Sequence, residues 1–484
     1  MVEQTGNLRR NMDPMRSDAR DTEHVGRRRP KIALIGAGGV VFPMRLMGDL
    51  LSFPSLQGAM YSLMDLDIGR AERTATSARD LAAHYGFAAT IDATADRREA
   101  LTGADYVIVT FQVGGVDAYA PDVEIPRTYG VDESVGDTLG PGGVFRFLRS
   151  APAYAGIAAD MHELCPDALL INYANPMAMN CWYLMELGIT SVGLCHSVQG
   201  TSRMLARQMD VPYDEIAFIC AGINHQAWFT SFRRGSEDLY PLLRETMVEH
   251  HLSGMRAARR AAPLAKDTGD HSEVERGDSD YEGGAECVRT AIMDAFGYFH
   301  TESSHHASEY VPYFRKDAER IEQFIPQRWD YLEICRAHDA EDSDHQLLDD
   351  LKADLRSSLE YGALIVNAME TGEPTVIYGN VPNHGLIDNL PDGCCVEVAC
   401  LVDKNGVQPT RFGSLPPQLA ALNRTNINVQ ELAVQAALTG NREHIFHAIA
   451  LDPLTGALLT LDEIRSMTDE LFSAHAQFLP EHWR

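Results

Sequence analysis

Two side chains in the middle of the chain are of the types that hold divalent metal ions. Cys195 follows a short apolar run, and His225 lies about thirty residues further on, in the segment Gly222-Ile-Asn-His225. A thiolate and an imidazole brought together could bind a divalent ion and leave positions open for substrate oxygens. A lone cysteine or histidine more often fills a buried position, so the pair indicates a metal site only in combination with other features.

A short glycine-rich stretch near the start of the chain is typical of a phosphate site. It consists of Gly36, Ala37, Gly38 and Gly39. The strand-like run Lys31-Ile-Ala-Leu-Ile35 precedes it, and an apolar helix is predicted to follow as far as Leu51. Small residues let the backbone approach a pyrophosphate, and a helix N-terminus favours its charge. Val41 stands at the last glycine position of the dinucleotide motif, so a tight turn without a ligand is the alternative.

Two later positions also fit a dinucleotide. Asp65 ends the second predicted strand, where a carboxylate can accept a hydrogen bond from an adenosine ribose, which favours NAD over NADP. Gln112 and Gly114 belong to the loop after the predicted strand Tyr106-Val-Ile-Val-Thr110. That loop is expected at the carboxyl edge of the sheet, where cofactors bind, although an ordinary flexible loop is equally consistent with its sequence.

Asn175 ends the next predicted strand, in Asn172-Tyr-Ala-Asn175-Pro176. An asparagine at this edge can orient substrate hydroxyl groups or the nicotinamide ribose. On its own, the Asn-Pro pair is better explained as a turn.

The elements that must position these residues fall into two parts. Over residues 31–200, strands alternate with helices, which predicts an α/β fold with a doubly wound parallel sheet of the Rossmann type. Residues 235–285 are polar and rich in glycine and aspartate, as in a mobile excursion. The remaining predictions are a helix over 350–370, strands at 376–378 and 395–402, a hairpin turn at 404–406, and helices over 416–450 and 461–478.

Composition excludes several classes of protein. The 484 residues suit two packed domains, and 41 basic against 69 acidic residues give a net charge of −28, which repels nucleic acid and anionic lipid. Nine cysteines without a paired zinc pattern suggest reduced thiols in a cytoplasm. No apolar run approaches the roughly 18 residues of a membrane span. Residues 1–30 lack a signal-peptide core and are predicted to be a disordered extension.

A series of sequence blocks resembles a known family. In chain order the blocks are LIGAG, TFQVGG, DTLGPGG, NYANPMAMN, LCHSVQG, CAGINHQAWF, TESSHHASEYVPYF, VIYGNVPNHGLIDNLPDGCCVEVACLV and LNRTNINVQ. Together they resemble glycoside hydrolase family 4, and its α-galactosidase branch most closely. The resemblance runs from about residue 31 to the C-terminus, with a divergent gap at 235–285. It implies that residues 201–484 form an α+β domain of the lactate/malate-dehydrogenase type, which binds substrate and metal and forms oligomers.

The resemblance also implies a mechanism. In this family NAD⁺ takes a hydride from C3 of the sugar, a base removes the C2 proton, and the glycosidic oxygen leaves by elimination. Matching motifs make Cys195 and His225 the metal ligands. The ion is expected to be Mn²⁺, with Fe²⁺, Co²⁺ or Ni²⁺ as alternatives. His196 would protonate the leaving oxygen, and Asn175 and Asp137 would contact the sugar.

The base that removes the C2 proton is not fixed by the resemblance. Related enzymes have a tyrosine after an arginine of the matching helix, where this chain has Thr290. Tyr281 is the preferred candidate, with Asp280 and Asp294 as alternatives.

The expected substrate is therefore a small terminal α-D-galactoside, bound by a homodimer or homotetramer with no nucleic acid or membrane partner. An α-glucosidase or α-uronidase activity on the same scaffold is the first alternative. A simple NAD-dependent dehydrogenase, which would accumulate NADH, and a non-enzymatic NAD-binding regulator are the others.

Overall fold

The computed structural model describes residues 29–39, 41–253, 286–325, 330–339 and 345–483. Most of the predicted N-terminal extension and residues 254–285 of the predicted excursion lie outside these ranges. Within them, no helix is long and apolar enough to cross a membrane.

Six parallel strands alternate with helices in the first part of the chain. The elements are β1 (Lys31–Ile35), α1 (Phe42–Ser52), β2 (Met60–Met64), α2 (Ile68–Tyr85), β3 (Thr90–Thr94), α3 (Arg97–Leu101), β4 (Tyr106–Val109), α4 (Gly115–Thr128), α5 (Gly140–Leu164), β5 (Leu169–Asn172), α6 (Met177–Glu186), β6 (Ser191–Gly193) and α7 (Ser197–Gln208). The strand order is β3-β2-β1-β4-β5-β6, which is the doubly wound dinucleotide-binding order. The predicted fold class is confirmed for this part of the chain.

The second part mixes helices with antiparallel strands. Its elements are β7 (Ile216–Ile223), β8 (Gln226–Arg234), β9 (Glu237–Asp238), α8 (Tyr240–His251), α9 (Cys287–Phe296), β10 (Phe299–His300), α10 (Ser304–Ala307), α11 (Ala318–Phe324), α12 (Tyr331–Asp339), α13 (His345–Ala353), α14 (Tyr361–Thr371), β11 (Thr375–Pro382), β12 (Cys395–Asp403), β13 (Gly406–Pro409), α15 (Pro417–Thr439), α16 (Arg442–Leu451), α17 (Thr455–Leu458) and α18 (Leu461–Ala474).

The strands of both parts form one sheet. Beyond β6 the order continues as β11-β12-β7-β8-β10, while β13 pairs with β12 and β9 with β8. The sheet is parallel up to β6 and antiparallel from there on. Since strands from both predicted domains share this sheet, the division at residue 200 stays a prediction.

Buried strands explain why this sheet forms. The four residues of β4 and the four of β5 are all buried, as expected for parallel strands that are covered by helices on both faces. Helix α2 is delimited locally, because the Asp67 side chain accepts hydrogen bonds from the first-turn amides and Gly86 ends the helix in the left-handed region.

Two local predictions needed correction, and one hairpin was missed. The predicted excursion at 235–285 contains a helix, α8, whose Leu243 and Met247 are buried in a hydrophobic cluster. The predicted helix over 350–370 is two helices, α13 and α14. The chain leaves the helical path between them, where the amide and hydroxyl of Ser358 donate to the Asp49 carboxylate at 2.6 and 2.7 Å. The β7–β8 hairpin was not predicted.

One row of paired residues crosses the sheet and connects the strands that lead to the two predicted metal ligands. Gly193 of β6 pairs with Asn380 of β11, Asn380 with Glu397 of β12, and Glu397 with Gly222 of β7. Cys195 follows Gly193 by two positions, and His225 follows Gly222 by three. Two antiparallel strands therefore separate the segments that carry these two predicted metal ligands.

Candidate active site

The fold brings Cys195 and His225 together and adds a third donor. The Cys195 Sγ lies 3.3 Å from Nε2 of His225, and Oε2 of Glu302 lies 3.3 Å from the same nitrogen. The three donor atoms lie within 4.8 Å of one another. A thiol, an imidazole and a carboxylate around one point form a donor set that fits a divalent transition-metal ion.

Both His225 and Glu302 are held in unusual backbone conformations. Their φ angles are +63° and +77°, a region that residues other than glycine seldom adopt and that is enriched at functional sites. His225 is in the two-residue tip of the β7–β8 hairpin. The hairpin is anchored to α15, because Asn423 and Asn426 donate to the Gln226 side chain at 3.1 and 2.9 Å.

The protonation states around these donors suit a cation. Burial lowers the pKa of His225 to about 4, which leaves the ring neutral and able to act as a ligand. Burial, followed by the Glu302 and Glu397 carboxylates, raises the pKa of the Cys195 thiol well above its usual value. A divalent ion would supply the positive charge that turns this thiol into a thiolate. Although burial opposes ionisation of Glu302, His225 and His306 lower its pKa.

The two predicted sugar-contacting residues are hydrogen-bonded to each other. Asn175 Nδ2 donates to Asp137 Oδ2 at 3.1 Å, and Thr138 donates its hydroxyl to Asp137 Oδ1 at 2.7 Å. Burial opposes ionisation of Asp137, but Arg146 and His306 lower its pKa. A charged carboxylate beside an amide is well suited to accept hydrogen bonds from sugar hydroxyl groups.

Arg146 was not singled out from the sequence, yet it connects the predicted cofactor and sugar residues. Its Nη2 donates to Gln112 Oε1 at 3.1 Å, and its Nε donates to the Asn175 carbonyl at 3.3 Å. Its Nη1 lies 3.9 Å from Asp137 Oδ2 and, within the described part of the chain, makes no hydrogen bond. Gln112 in turn donates to the Gly115 carbonyl.

The glycine-rich loop is tightly packed. Gly36 has φ +94°, and a Cβ there would lie 2.6 Å from the Phe111 amide nitrogen, so only glycine fits. The Gly36 and Ala37 amides both donate to the Met64 carbonyl at 2.9 Å. These amides are thus already used within the protein, and a pyrophosphate would instead meet the start of α1.

Asp65 contributes to the same loop. One of its oxygens accepts from the Gly38 amide at 2.9 Å and the other from the Asp67 amide at 3.0 Å. Arg70 and Arg73 donate to the Gly38 carbonyl at 3.1 and 2.9 Å. A ribose bound here would therefore share the Asp65 carboxylate with the loop backbone.

Two further predicted cofactor residues occupy the turns around the loop. Gly39 packs against the Pro43 ring, which is 3.0 Å from where a Cβ would lie. Gly114, with φ +83°, precedes α4, and a Cβ there would lie 2.4 Å from the Ala118 methyl carbon. The positive φ and the close Ala118 side chain thus account for Gly114 independently of a ligand.

His196, the predicted acid, is next to Cys195 and is 47% exposed, and its Nδ1 lies 3.4 Å from Glu360 Oε1. Of the candidates for the C2 base, Tyr281 and Asp280 lie outside the described residues, and Asp294 is exposed on α9. Thr290, at the position where related enzymes have tyrosine, is buried, and its hydroxyl has no hydrogen-bond partner among the described residues.

Several site residues that were given no role from the sequence fall in the segment 302–310. Glu302 faces the metal ligands, and Glu309 accepts from three successive amides of residues 134–136 at 2.7, 2.9 and 3.2 Å. His306 lies 2.7 Å from Glu309; burial opposes its protonation, but Glu309 raises its pKa to about 9. The close spacing of titratable residues in TESSHHASEY was the signal that could have marked this segment.

Comparison with known proteins defines the class to which this chain belongs. The model for "Family 4 glycosyl hydrolase" matches residues 31–211, and the model for "Family 4 glycosyl hydrolase C-terminal domain" matches residues 220–455. These matches cover most of the chain, so the chain belongs to glycoside hydrolase family 4. The family prediction is confirmed.

Three individual relatives align with nearly the whole chain. An α-galactosidase of Bacillus subtilis is 39% identical over 93% of this chain and 99% of its own length. An α-galactosidase of Rhizobium meliloti is 34% identical over 93% and 89%. An α-galacturonidase of Thermoanaerobacterium saccharolyticum is 29% identical over 94% and 97%.

Solved structures agree on the fold. The crystal structure of lplD from Bacillus subtilis has a TM-score of 0.77 at 28% identity, over 92% of this chain and 99% of that one. A 6-phospho-α-glucosidase from gut microorganisms, solved in complex with NAD and Mn²⁺, has a TM-score of 0.73 at 18% identity, over 94% and 100%. At that level of identity the second structure supports the fold alone.

Proposed function

We propose that this protein hydrolyses terminal α-D-galactosides with the help of NAD⁺ and a divalent metal ion, Mn²⁺ in the first place. The observation that carries the proposal is the cluster of Cys195, His225 and Glu302 at the carboxyl edge of a dinucleotide-binding sheet. The two relatives named α-galactosidase, which match nearly the whole chain, support galactose as the sugar.

Each residue of the site has a proposed task. Cys195 and His225, with Glu302, hold the metal, while Asp137 and Asn175 hold sugar hydroxyl groups. When bound, NAD⁺ would supply the hydride acceptor for the sugar C3 and the metal ion would supply a Lewis acid for the C3 oxygen.

His196 protonates the departing glycosidic oxygen. Its partial exposure lets it reach a substrate, and its Nδ1 lies 3.4 Å from the Glu360 carboxylate. Tyr281 remains the proposed base for the C2 proton, with Asp280 and Asp294 as alternatives.

The cofactor is proposed to lie along the loop after β1. The start of α1 faces the pyrophosphate, the backbone of residues 36–39 shapes the turn, and Asp65 accepts a hydrogen bond from the ribose. Gln112 and Gly114 border the nicotinamide end, where Arg146 joins Gln112 to the sugar residues. We further propose a cytoplasmic location and a homodimer or homotetramer, with no nucleic acid or membrane partner.

The test uses enzyme freed of nucleotide and metal and a panel of p-nitrophenyl α-galactoside, α-glucoside and α-galacturonide. Activity should return only when NAD⁺, Mn²⁺ and a thiol reductant are all present, and the galactoside should give the highest kcat/KM. Product formed in D₂O should carry deuterium at C2, because the C2 proton is removed during turnover.

The outcomes separate the alternatives. Full activity without nucleotide would refute the proposed chemistry, and stoichiometric accumulation of NADH would indicate a simple dehydrogenase. A higher kcat/KM on the glucoside or the galacturonide would keep the reaction and change the sugar.

A further inference from the structure

The metal-facing histidine is hydrogen-bonded on its far side as well. Nε2 of His225 faces Cys195 and Glu302, each at 3.3 Å. Its other ring nitrogen, Nδ1, lies 3.2 Å from the hydroxyl of Tyr310. The imidazole is therefore contacted at both nitrogens, on one side by the metal-binding cluster and on the other by a phenol.

Metal binding through Nε2 determines which atom donates in the hydrogen bond between Nδ1 of His225 and the Tyr310 hydroxyl. A ring nitrogen that gives its lone pair to a metal carries no proton, so a neutral His225 that binds through Nε2 must carry its proton on Nδ1. Nδ1–H then donates to the Tyr310 oxygen. A phenol oxygen can accept this hydrogen bond while its own proton goes elsewhere, so the contact fits the one tautomer of His225 that can bind the ion.

Tyr310 itself has little freedom to move. It is 1% exposed, its carbonyl accepts from Asn426 Nδ2 at 3.3 Å, and its ring stands edge-on to His306 at 5.2 Å. These contacts hold the Tyr310 hydroxyl against Nδ1 of His225.

The same contacts continue to the sugar residues. Thr138 is hydrogen-bonded with the Tyr310 hydroxyl and donates its own proton to Asp137 at 2.7 Å, and Asp137 accepts from Asn175. The Tyr310 hydroxyl therefore donates to Thr138, which leaves its oxygen free to accept from Nδ1–H of His225. A continuous chain of hydrogen bonds thus connects the metal ligand to the proposed sugar-binding carboxylate.

We propose that Tyr310 is a positioning residue that holds His225 in its metal-binding tautomer and orientation. Such a support is needed because His225 lies at a hairpin tip with φ +63°, where the backbone alone favours glycine or asparagine. The inference rests on the proposed metal site.

The test is Tyr310→Phe, which removes one oxygen atom and keeps the ring. With NAD⁺ present, the dissociation constant for Mn²⁺, measured by the electron paramagnetic resonance signal of free Mn²⁺, should rise about 10- to 100-fold, the usual effect of losing such a partner. The affinity for NAD⁺ should stay unchanged. Saturating Mn²⁺ should restore most of the turnover.

Tyr61→Phe is the matched control. Tyr61 is also buried, and its hydroxyl donates to the Leu56 carbonyl at 2.8 Å, within the first part of the sheet. The loss of the Tyr61 hydroxyl tests the effect of removing any buried phenol oxygen. An unchanged Mn²⁺ affinity in Tyr310→Phe, or an equal loss in Tyr61→Phe, would overturn the inference.

A second pair of variants keeps the test decisive if Tyr310→Phe folds poorly. Thr138→Val removes the next hydroxyl at nearly constant volume and should weaken Mn²⁺ binding by a few fold, and Thr138→Ser should bind Mn²⁺ more tightly than the valine variant. Equal affinities in the two variants would contradict the proposed chain of hydrogen bonds. A wild-type protein that fails to bind Mn²⁺ would instead refute the proposed metal site itself.

Discussion

Replacing Glu397 by glutamine should change how the stability of the metal-free protein depends on pH. Glu397 lies on β12 between Asn380 and Gly222 in the sheet and is fully buried. Neither carboxyl oxygen has a hydrogen-bond partner of normal geometry among the described residues. Burial, followed by the neighbouring Glu302, raises the pKa of Glu397 to about 8.

The sign and size follow from proton linkage. In the unfolded chain Glu397 has the ordinary glutamate pKa of 4.5. Between pH 4.5 and about 8 the unfolded chain loses this proton while the folded protein keeps it, so stability falls as pH rises. Each pH unit in this window costs about 1.4 kcal/mol, and from pH 5 to pH 7 the loss is about 2.5 kcal/mol. Glutamine does not titrate, so Glu397→Gln lacks this loss.

The assay is reversible guanidinium unfolding of the wild type and Glu397→Gln at pH 5 and pH 7, in the presence of EDTA. The difference in unfolding free energy between the two proteins should shift by about 2.5 kcal/mol in favour of the variant at pH 7. Any pH-independent cost of burying the amide cancels in this comparison.

Two controls sharpen the result. Glu373→Gln makes the same substitution at an exposed position just before β11 and reports the effect of losing a solvated carboxylate. The infrared absorption of protonated carboxyl groups at pH 7 should be weaker in Glu397→Gln than in the wild type, because other buried carboxyl groups such as Glu133 also have raised pKa values. A stability difference that is the same at both pH values would refute the argument that burial keeps Glu397 protonated.

Two further predictions concern catalysis. His196→Asn should lower the turnover of an alkyl α-galactoside by about 10²- to 10⁴-fold. The turnover of p-nitrophenyl α-galactoside should fall far less, because nitrophenolate leaves without a proton. Equal losses on both substrates would argue against the acid role. Arg146→Met removes hydrogen bonds to Gln112 and Asn175 and a charge near Asp137. A charged hydrogen bond contributes about 1.5–3 kcal/mol, so KM for the galactoside should rise about tenfold or more, and an unchanged KM in steady-state assays would contradict this.

Much of the first part of the fold was predictable because it is encoded locally. The apolar run before Gly36 and the buried residues of β4 and β5 predict strands without reference to distant residues. The short turn after Asp403 likewise predicts the β12–β13 hairpin, which the structure contains. The alternation of these strands with helices restricts the sheet to a doubly wound form. The sequence blocks then identify the family.

What only the tertiary structure decided is which side chains meet. Cys195 and His225 come from strands that are separated in the sheet by β11 and β12, both of which lie far later in the chain. Glu302 and Tyr310 contact His225 from the segment after α9. No periodic pattern in the local sequence predicts these contacts. The amides of the glycine-rich loop are a similar case, since their use by Met64 and Asp65 depends on the neighbouring strand. Local sequence determines where strands and turns form, whereas contacts across a sheet depend on the order in which distant strands pair.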